Sequence, residues 1–547
     1  MTATVETAGP EAAEPRAAAN KLDLLTWLLI GLALLPLLVE AVHILRELGD
    51  FHATTDNALN EMIVRDLGRH LALVGPYARS DWSHPGPLMF YVLALPFHLF
   101  GGDSAAMLVG ALVVNAVAIG TMIAIARRWG GHELAFPVAL VLLLIVVRLP
   151  HGYVADPWNP AITVLPFGAF LALAWASTCG DRWAFPAAVL AGTFCMQTHI
   201  GYVSLVLPVL AWCVWRVWRD HARVALVWGG AVLVVLWALP AFQQVFRTPG
   251  NASQIVHYFR TSDEAAHSAV DAWRLIASQF TVTADWIVGT GRPEPGQFEP
   301  AAMRSNPIPL LLVVFAVAVW FAWRRRGPLR NLAVVLLLAI AGGAIGLMRT
   351  LGPMWDYRLR WIWVVAGICT AFSVAVGYRA LDEHRAARAR RVIVALVLVG
   401  AVVLSSVGVA NAVAADPPDP VLTARTDSLT RQIVRHLPKR PGVVVLRWAS
   451  FGSYIAIPGL MLRLDDAGIP VRLERDALQT ELTFGRHRLY HGGPVRAIVT
   501  IAGRDQIPSL EQRPGARRIA IVRTPKRSED LAAFLLPKAG TPLVTTP

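Results

Sequence analysis

The sequence predicts a mainly α, polytopic membrane protein that ends in a small α/β region. Three observations carry that expectation. Of the 547 residues, 55% are hydrophobic and the mean hydropathy is +0.50. Apolar stretches long enough to cross a bilayer recur from Leu22 to about Val413, and the residues from Ala414 onward lose that character. A helix rising about 1.5 Å per residue needs ~20 apolar residues to cover ~30 Å of hydrocarbon, so a single soluble domain is excluded.

Taken in order, residues 1–21 read as a cytoplasmic tail and 22–45 as a first span, retained because no small-residue cleavage site follows it. A polar loop then runs to His84. Segment 86–100, GPLMFYVLALPFHLF, is apolar but short and carries Pro96 and His98, so it reads as an interfacial helix lying on the membrane. Further spans fall near 105–126, 134–147, 161–176, 184–198, 202–215, 224–242, 308–323, 331–348, 361–378 and 392–413, making about eleven. This choice places every Arg-bearing short loop on one side: Arg127 and Arg128, Arg182, Arg216 with Arg219 and Arg223, Arg324 to Arg330, and Arg379 through Arg391. By the positive-inside rule that side is cytoplasmic. Counting 86–100 as a crossing would invert the arrangement. An odd number of spans then puts 414–547 outside, with outer loops 46–104, 148–160, 243–307 and 349–360.

The net charge of +13 is therefore a signature of topology and not of nucleic-acid binding. Lysine occurs only at Lys21, Lys439, Lys526 and Lys538, an Arg- and Ala-biased usage expected of a bacterial chain. All four cysteines lie in or beside spans, which leaves the outer regions without a disulfide framework. Beyond the spans, 421–437 is amphipathic, and 443–446, 497–500 and 519–522 read as strands. Loop 243–307 holds a helical pattern (Val270, Trp273, Ile276, Phe280) and then GTGRPEPGQFEP, suited to a mobile cover.

Burying an ionisable group at mid-membrane is costly, and such groups mark transport paths. The spans here are almost empty of them, while acids and histidines gather in the outer loops, which favours a reaction at the interface over conduction. In TTDNALNEMIVRDLGRHLAL, Asp56 precedes a helix whose Leu59, Met62, Ile63, Leu67 and Leu71 share a face. That pattern lays the helix on the membrane and Asp56 at interfacial depth; a plain helix cap explains the same residue. Arg79, Asp81 and His84 cluster before a Pro-stiffened turn, with ordinary solvated loop charge as the alternative. Asp156, in VADPWNP, suits a turn on its own account. On one face with Asp56, it could also share the activation of a hydroxyl or hold a divalent cation such as Mg²⁺ or Mn²⁺. In RTLGPMWDYRLR, Arg349, Arg358 and Arg360 place cations where the positive-inside rule does not expect them. The planar fork of arginine matches a phosphate, and headgroup anchoring is the alternative. His199, in CMQTHIGY, lies at another outer turn, where a structural role is the commoner one.

An acid in the first outer loop, a His-Pro lead into an aromatic interfacial helix ending LFGG, and a span closing AIARR together resemble the GT-C glycosyltransferases that use polyprenyl-phosphate sugars. Protein mannosyltransferases, aminoarabinose transferases and actinobacterial arabinofuranosyltransferases belong to that group. The resemblance covers 50–156 by motif and the membrane region by topology. It implies an inverting membrane glycosyltransferase of the cytoplasmic membrane, moving a sugar from a polyprenyl-phosphate donor to a cell-envelope glycan, lipid or protein. By the same resemblance Asp56 matches the first-loop catalytic acid, Asp156 an acid of the second outer loop, and His84 the His or Lys before the Pro-rich helix start. Arg79, His199, Arg349, Arg358 and Arg360 are expected to contact substrate. The sequence departs from the pattern in its His-Pro-Gly-Pro and in an Asp56 that is not part of an acidic pair. Two rivals stand beside this reading: a transporter or flippase for a lipid-linked glycan, which needs a polar path across the bilayer, and a non-catalytic assembly or glycan-binding protein. The C-terminal region is expected either to bind acceptor glycan or to brace the membrane part.

Overall fold

A computed structural model describes residues 23–46, 48–78, 82–289, 301, 307–325, 327–381, 383–474, 483–524 and 530–537. Every segment predicted to span the membrane is helical. Among the described residues, eight helices are long and apolar enough to cross: Leu24–Arg46, Ala105–Gly130, Asn159–Thr178, Ile200–Arg219, Arg223–Phe246, Pro328–Met348, Asp356–Arg379 and Arg391–Val413. The three other predicted crossings are shorter helices, His132–Arg148, Ala184–Thr198 and Leu310–Arg324, of 17, 15 and 15 residues. The first two pack their faces against neighbouring helices of the bundle.

The two ends of the bundle differ in chemistry. At one end Asp23 binds Arg127 at 2.8 Å and His132 at 2.7 Å, Arg128 binds Asp181 at 3.1 Å, and Arg379 donates to the Gly130 carbonyl at 2.6 Å. Arg325 donates to the Arg379 carbonyl, and Arg216 and Asn331 both reach the Thr178 carbonyl. The Arg-bearing loops of the sequence thus meet at one end, and Asp56, Asp156, His199 and Arg358 lie at the other.

At that second end the segment 86–100 forms helix Leu88–Leu99, packed on Ala105–Gly130 and too short to cross. The helix Thr55–Asp66 departs from expectation. It does not lie on lipid. Asn57, Ala58, Leu59, Asn60, Glu61, Met62 and Val64 are buried, between Leu88–Leu99 on one side and helix Ile457–Asp466 on the other. Its apolar residues are satisfied by protein, and an amphipathic pattern alone does not distinguish a membrane surface from a second domain.

Residues 420–537 build a sheet with strands β3 (Val443–Trp448), β4 (Val471–Leu473), β5 (Val495–Gly503), β6 (Arg517–Val522) and β7 (Leu531–Leu536); β1 (Tyr77–Ala78) and β2 (Trp82–Ser83) form a small hairpin in the first loop. The order is β4-β3-β5-β7-β6, with β3 parallel to β4 and β5, and β7 antiparallel to β5 and β6. Val444, Leu446, Val499, Ile501 and Ala533 fill the sheet's core, and helix Pro420–His436 covers β6 with Leu429 and Ile433. The amphipathic 421–437 and all three sequence-read strands are present; β4 and β7 were not legible, β4 because three residues carry no pattern.

This sheet region clamps the helix that carries Asp56. Arg488, 8% exposed, makes two bonds of 3.0 Å to the Asp66 carboxylate and a third to Asp465, while Arg65 bridges buried Glu61 to Asp466. His487 bonds Asp66 at 2.7 Å and stacks on His70. A bidentate Arg–carboxylate pair adds geometry as well as energy. Arg488→Ala leaves Asp66 to His487 alone and takes from Asp465 its bond at the junction, and is expected to cost roughly 1.5–3 kcal/mol locally. Hydrogen exchange in Thr55–Asp66 should accelerate while the spans stay protected; unchanged exchange there would show that the clamp does not hold the helix.

Candidate active site

The helix Thr55–Asp66 begins at Thr54, which takes the cap position with extended backbone, so Asp56 is the second helical residue and not the cap. Exposed at the helix start, Asp56 accepts at Oδ2 from Trp158 Nε1 at 3.0 Å. Its neighbour Asn57 points the other way and donates from Nδ2 to Asp156 Oδ1 at 2.8 Å, and the same oxygen accepts from the Trp158 backbone N–H at 2.9 Å. Consecutive residues of one helix therefore reach the two ends of the Asp-Pro-Trp turn, and this joins Asp56 to Asp156 through Trp158.

The 149–158 loop is itself pinned from within the bundle. Asn115, buried in the span Ala105–Gly130, donates to the Val154 carbonyl at 2.7 Å, which accounts for an amide inside an apolar helix. Burial disfavours the ionised form of Asp156. The hydrogen bonds from Asn57 and Trp158 act against this, the charges of Asp419 and Asp56 add to it, and the carboxyl is pushed up to about 7. Since free Asp titrates near ~4, the folded state holds a proton that the unfolded chain has lost across the window up to about 7. The stability this group contributes is present at acid pH and falls as pH rises through that value. Asp156→Asn, which keeps the acceptor oxygen without the titration, is expected to remove that part of the pH dependence of thermal stability; an unchanged profile would refute the assignment.

Asp419, which the sequence reading passed over, completes the acidic group. It precedes Pro420 at the start of helix Pro420–His436, and its Oδ2 accepts from Thr55 Oγ1 at 3.2 Å. Both partners are left-handed, with φ of 49° at Thr55 and 52° at Asp419. A β-branched residue there costs on the order of 1–3 kcal/mol and persists only where the surroundings over-determine it. Strain thus sits one residue from Asp56, held by the chain that leads into the sheet region. The repeated acid-proline pattern of 416–420 (DPPDP) was the available signal.

The two histidines come next. Gly86 is required here: a Cβ on it would lie 2.3 Å from Gln197 Cδ, and the Gly86 N–H bonds the Gln197 carbonyl at 3.2 Å. This close approach brings His84 onto the turn after helix Ala184–Thr198. His84 Nδ1 accepts from the Ile200 N–H at 3.1 Å, His199 Nδ1 accepts from the Gly201 N–H at 3.2 Å, and the two rings stack at 4.8 Å. Both acceptors fix the ring proton on Nε2. Burial holds His199 down to about 3, with the charge of Arg358 adding to it; burial, His199 and Arg358 hold His84 well below the usual imidazole range. Both are neutral donors. Behind them Asn251 bonds both backbone groups of Ser83, at 2.9 and 2.8 Å, and so anchors β2.

The arginines divide. Arg358 donates to the Pro353 carbonyl at 3.3 Å and lies 5.8 Å from the Tyr357 ring, and Tyr357 packs on Trp158 at 4.7 Å, so Arg358 is linked through Trp158 to both aspartates and lies near enough to His84 and His199 for its charge to act on them. Arg349 is exposed at the end of Pro328–Met348, with no side-chain partner among the described residues. Arg360 is buried, bonded to Asp356 at 2.7 Å and stacked on Trp363 at 4.2 Å, so its charge is already compensated. Arg79 and Asp81 lie outside the described residues, as does the Pro-rich cover segment after Gly289. No three His, Cys, Asp or Glu side chains converge as a cation cage among the described residues, and Asp156 Oδ1 already accepts two donors.

No protein-family model and no curated protein sequence matches the chain. Among solved structures, the crystal structure of ArnT from Cupriavidus metallidurans bound to undecaprenyl phosphate aligns with a TM-score of 0.58 at 14% identity, over 93% of this chain and 97% of that one. The chain has the GT-C fold. The apo form of the same ArnT aligns with a TM-score of 0.56 at 14% identity over the same shares. At this identity the likeness is one of fold, and the alignment runs through the membrane bundle and the sheet region alike. The GT-C fold expected from residues 50–156 therefore extends over nearly the whole chain.

Proposed function

We propose that this GT-C chain is an inverting glycosyltransferase of the cytoplasmic membrane that takes its sugar from a polyprenyl-phosphate carrier and passes it to a cell-envelope glycan, lipid or protein. One observation carries the reading: Asp56 and Asp156, brought together by Trp158, lie at one end of the bundle with Arg358 and two neutral histidines on which its charge acts. The solved structure with the same fold holds undecaprenyl phosphate, which supports a lipid phosphate as the donor's carrier. The arginine-rich end is assigned to the cytoplasm by the positive-inside rule, which puts the site and residues 414–547 on the outer face.

In this mechanism Asp56 takes the proton of an acceptor hydroxyl as its oxygen attacks the anomeric carbon. The bond from that carbon to the phosphate oxygen breaks, and the polyprenyl phosphate leaves with the electron pair. Arg358 and Arg349 meet the charge that develops on the phosphate, and His84 and His199 supply Nε2–H donors. Asp156 orients Asn57 and Trp158, and Asp419 fixes the helix start. A divalent cation has no preformed ligand set among the described residues, and Asp56 with Asp156 would be its first contacts. The test is release of lipid phosphate by the purified protein given polyprenyl-phosphate sugars and envelope acceptors, with the configuration of the new bond read by NMR. Sugar transfer with inversion is expected; tight donor binding with no release under any acceptor would overturn the proposal in favour of a carrier or assembly protein.

A further inference from the structure

The opposite end of the bundle, away from Asp56 and Asp156, carries a recess of its own. A cavity of about 320 Å³ opens between three helix ends, lined by Arg216 and Asp220, by the turn at Thr178, and by Pro328 and Arg330 at the start of Pro328–Met348. Arg216 binds Asp220 at 3.3 Å and the Thr178 carbonyl at 3.5 Å with one nitrogen, while its Nε is buried with no hydrogen-bond partner among the described residues. Arg330 packs over Trp323 at 5.6 Å and meets no acceptor among the described residues. Two arginines thus line one recess against a single carboxylate, at the positive end of a 21-residue helix. A buried donor left without an acceptor is costly, and an anion in the recess would supply one.

Depth identifies the source of that anion. Exposed Trp27, Trp183, Trp218, Trp228, Trp320 and Trp323 lie within about two turns of this end of their helices, the level at which tryptophan marks the membrane–water boundary. We infer that the cavity between Arg216 and Arg330 binds the phosphodiester headgroup of an anionic phospholipid in the leaflet opposite the proposed transfer site. Arginine forks bind phosphate oxygens in this way, and the exposed apolar faces beside them carry the acyl chains. The lipid holds the turn at Thr178 against Pro328–Met348, a contact otherwise made by Asn331 and Trp175.

The full-length protein in phosphatidylcholine nanodiscs is titrated with phosphatidylglycerol and followed by thermal unfolding and by native mass spectrometry of retained lipid. Phosphatidylglycerol is expected to stabilise the wild type, and Arg330→Gln, which breaks no hydrogen bond among the described residues, to weaken its retention about tenfold. Arg216→Gln should act in the same direction and Arg330→Lys should recover part. Arg219→Gln, at the same end but outside the cavity, should retain lipid as the wild type does. Equal retention in wild type and Arg330→Gln, or an equal loss in Arg219→Gln, would overturn the site. Stabilisation by soluble glycerol phosphate that matches the lipid's would overturn the lipid assignment.

Discussion

Asp56→Asn is expected to lower sugar transfer by about 10²–10⁴-fold, the usual contribution of a positioned general base. The substitution leaves Oδ in place to accept from Trp158 Nε1, so the link between helix Thr55–Asp66 and the turn at Asp156 survives. Donor affinity and thermal midpoint should therefore stay close to those of the wild type, and the loss should fall on kcat. This separates chemistry from folding, because the neighbouring Asn57 and Thr55 hold the helix start independently. A well-folded Asp56→Asn protein with wild-type kcat would remove Asp56 from the reaction and with it the proposed mechanism.

Arg358→Gln is expected to cost about 10²–10³-fold in kcat/KM for the donor, the range found when one stabiliser of developing charge is removed. Lysine restores charge without the planar fork, so Arg358→Lys should recover part of the loss. A second readout does not depend on activity. Burial, and with it the positive charge of Arg358, holds His84 and His199 below the ordinary imidazole range. Removing that charge should raise both values, burial remaining the larger cause, and NMR of the ring protons would follow the shift. Arg360→Gln acts differently: Asp356 loses its partner, so destabilisation should dominate over any effect on donor KM. A donor KM that responds to Arg360 and not to Arg358 would reverse the assignment of the phosphate contact.

Much of this molecule was legible in the residues. The crossing helices follow from apolar length, and the shared end of Arg127, Arg216 and Arg379 follows from loop charge, because both patterns are local. Asp56 and Asp156 stood out as acids in loops at one membrane face, although a helix cap and an Asp-Pro turn explained each of them locally just as well. The burial of Thr55–Asp66 was not legible. Leu59 and Met62 ask only for an apolar partner, and whether lipid or helix Ile457–Asp466 supplies it depends on a chain segment some four hundred residues away. Asp419 escaped notice for the same reason, since its bond to Thr55 spans 364 positions.

The sequence by itself determined that the chain is embedded in a membrane, which end of the bundle is basic, and which loops carry the acids, because transfer free energy and loop charge are properties of short segments. Only the tertiary structure decided which acid is exposed and which is half-buried, that Arg358 meets no carboxylate among the described residues while Arg360 is paired, and that the C-terminal sheet braces the helix bearing Asp56. Those outcomes depend on desolvation and on partners brought from distant positions, and a carboxylate or guanidinium acquires its character from whatever the fold sets beside it.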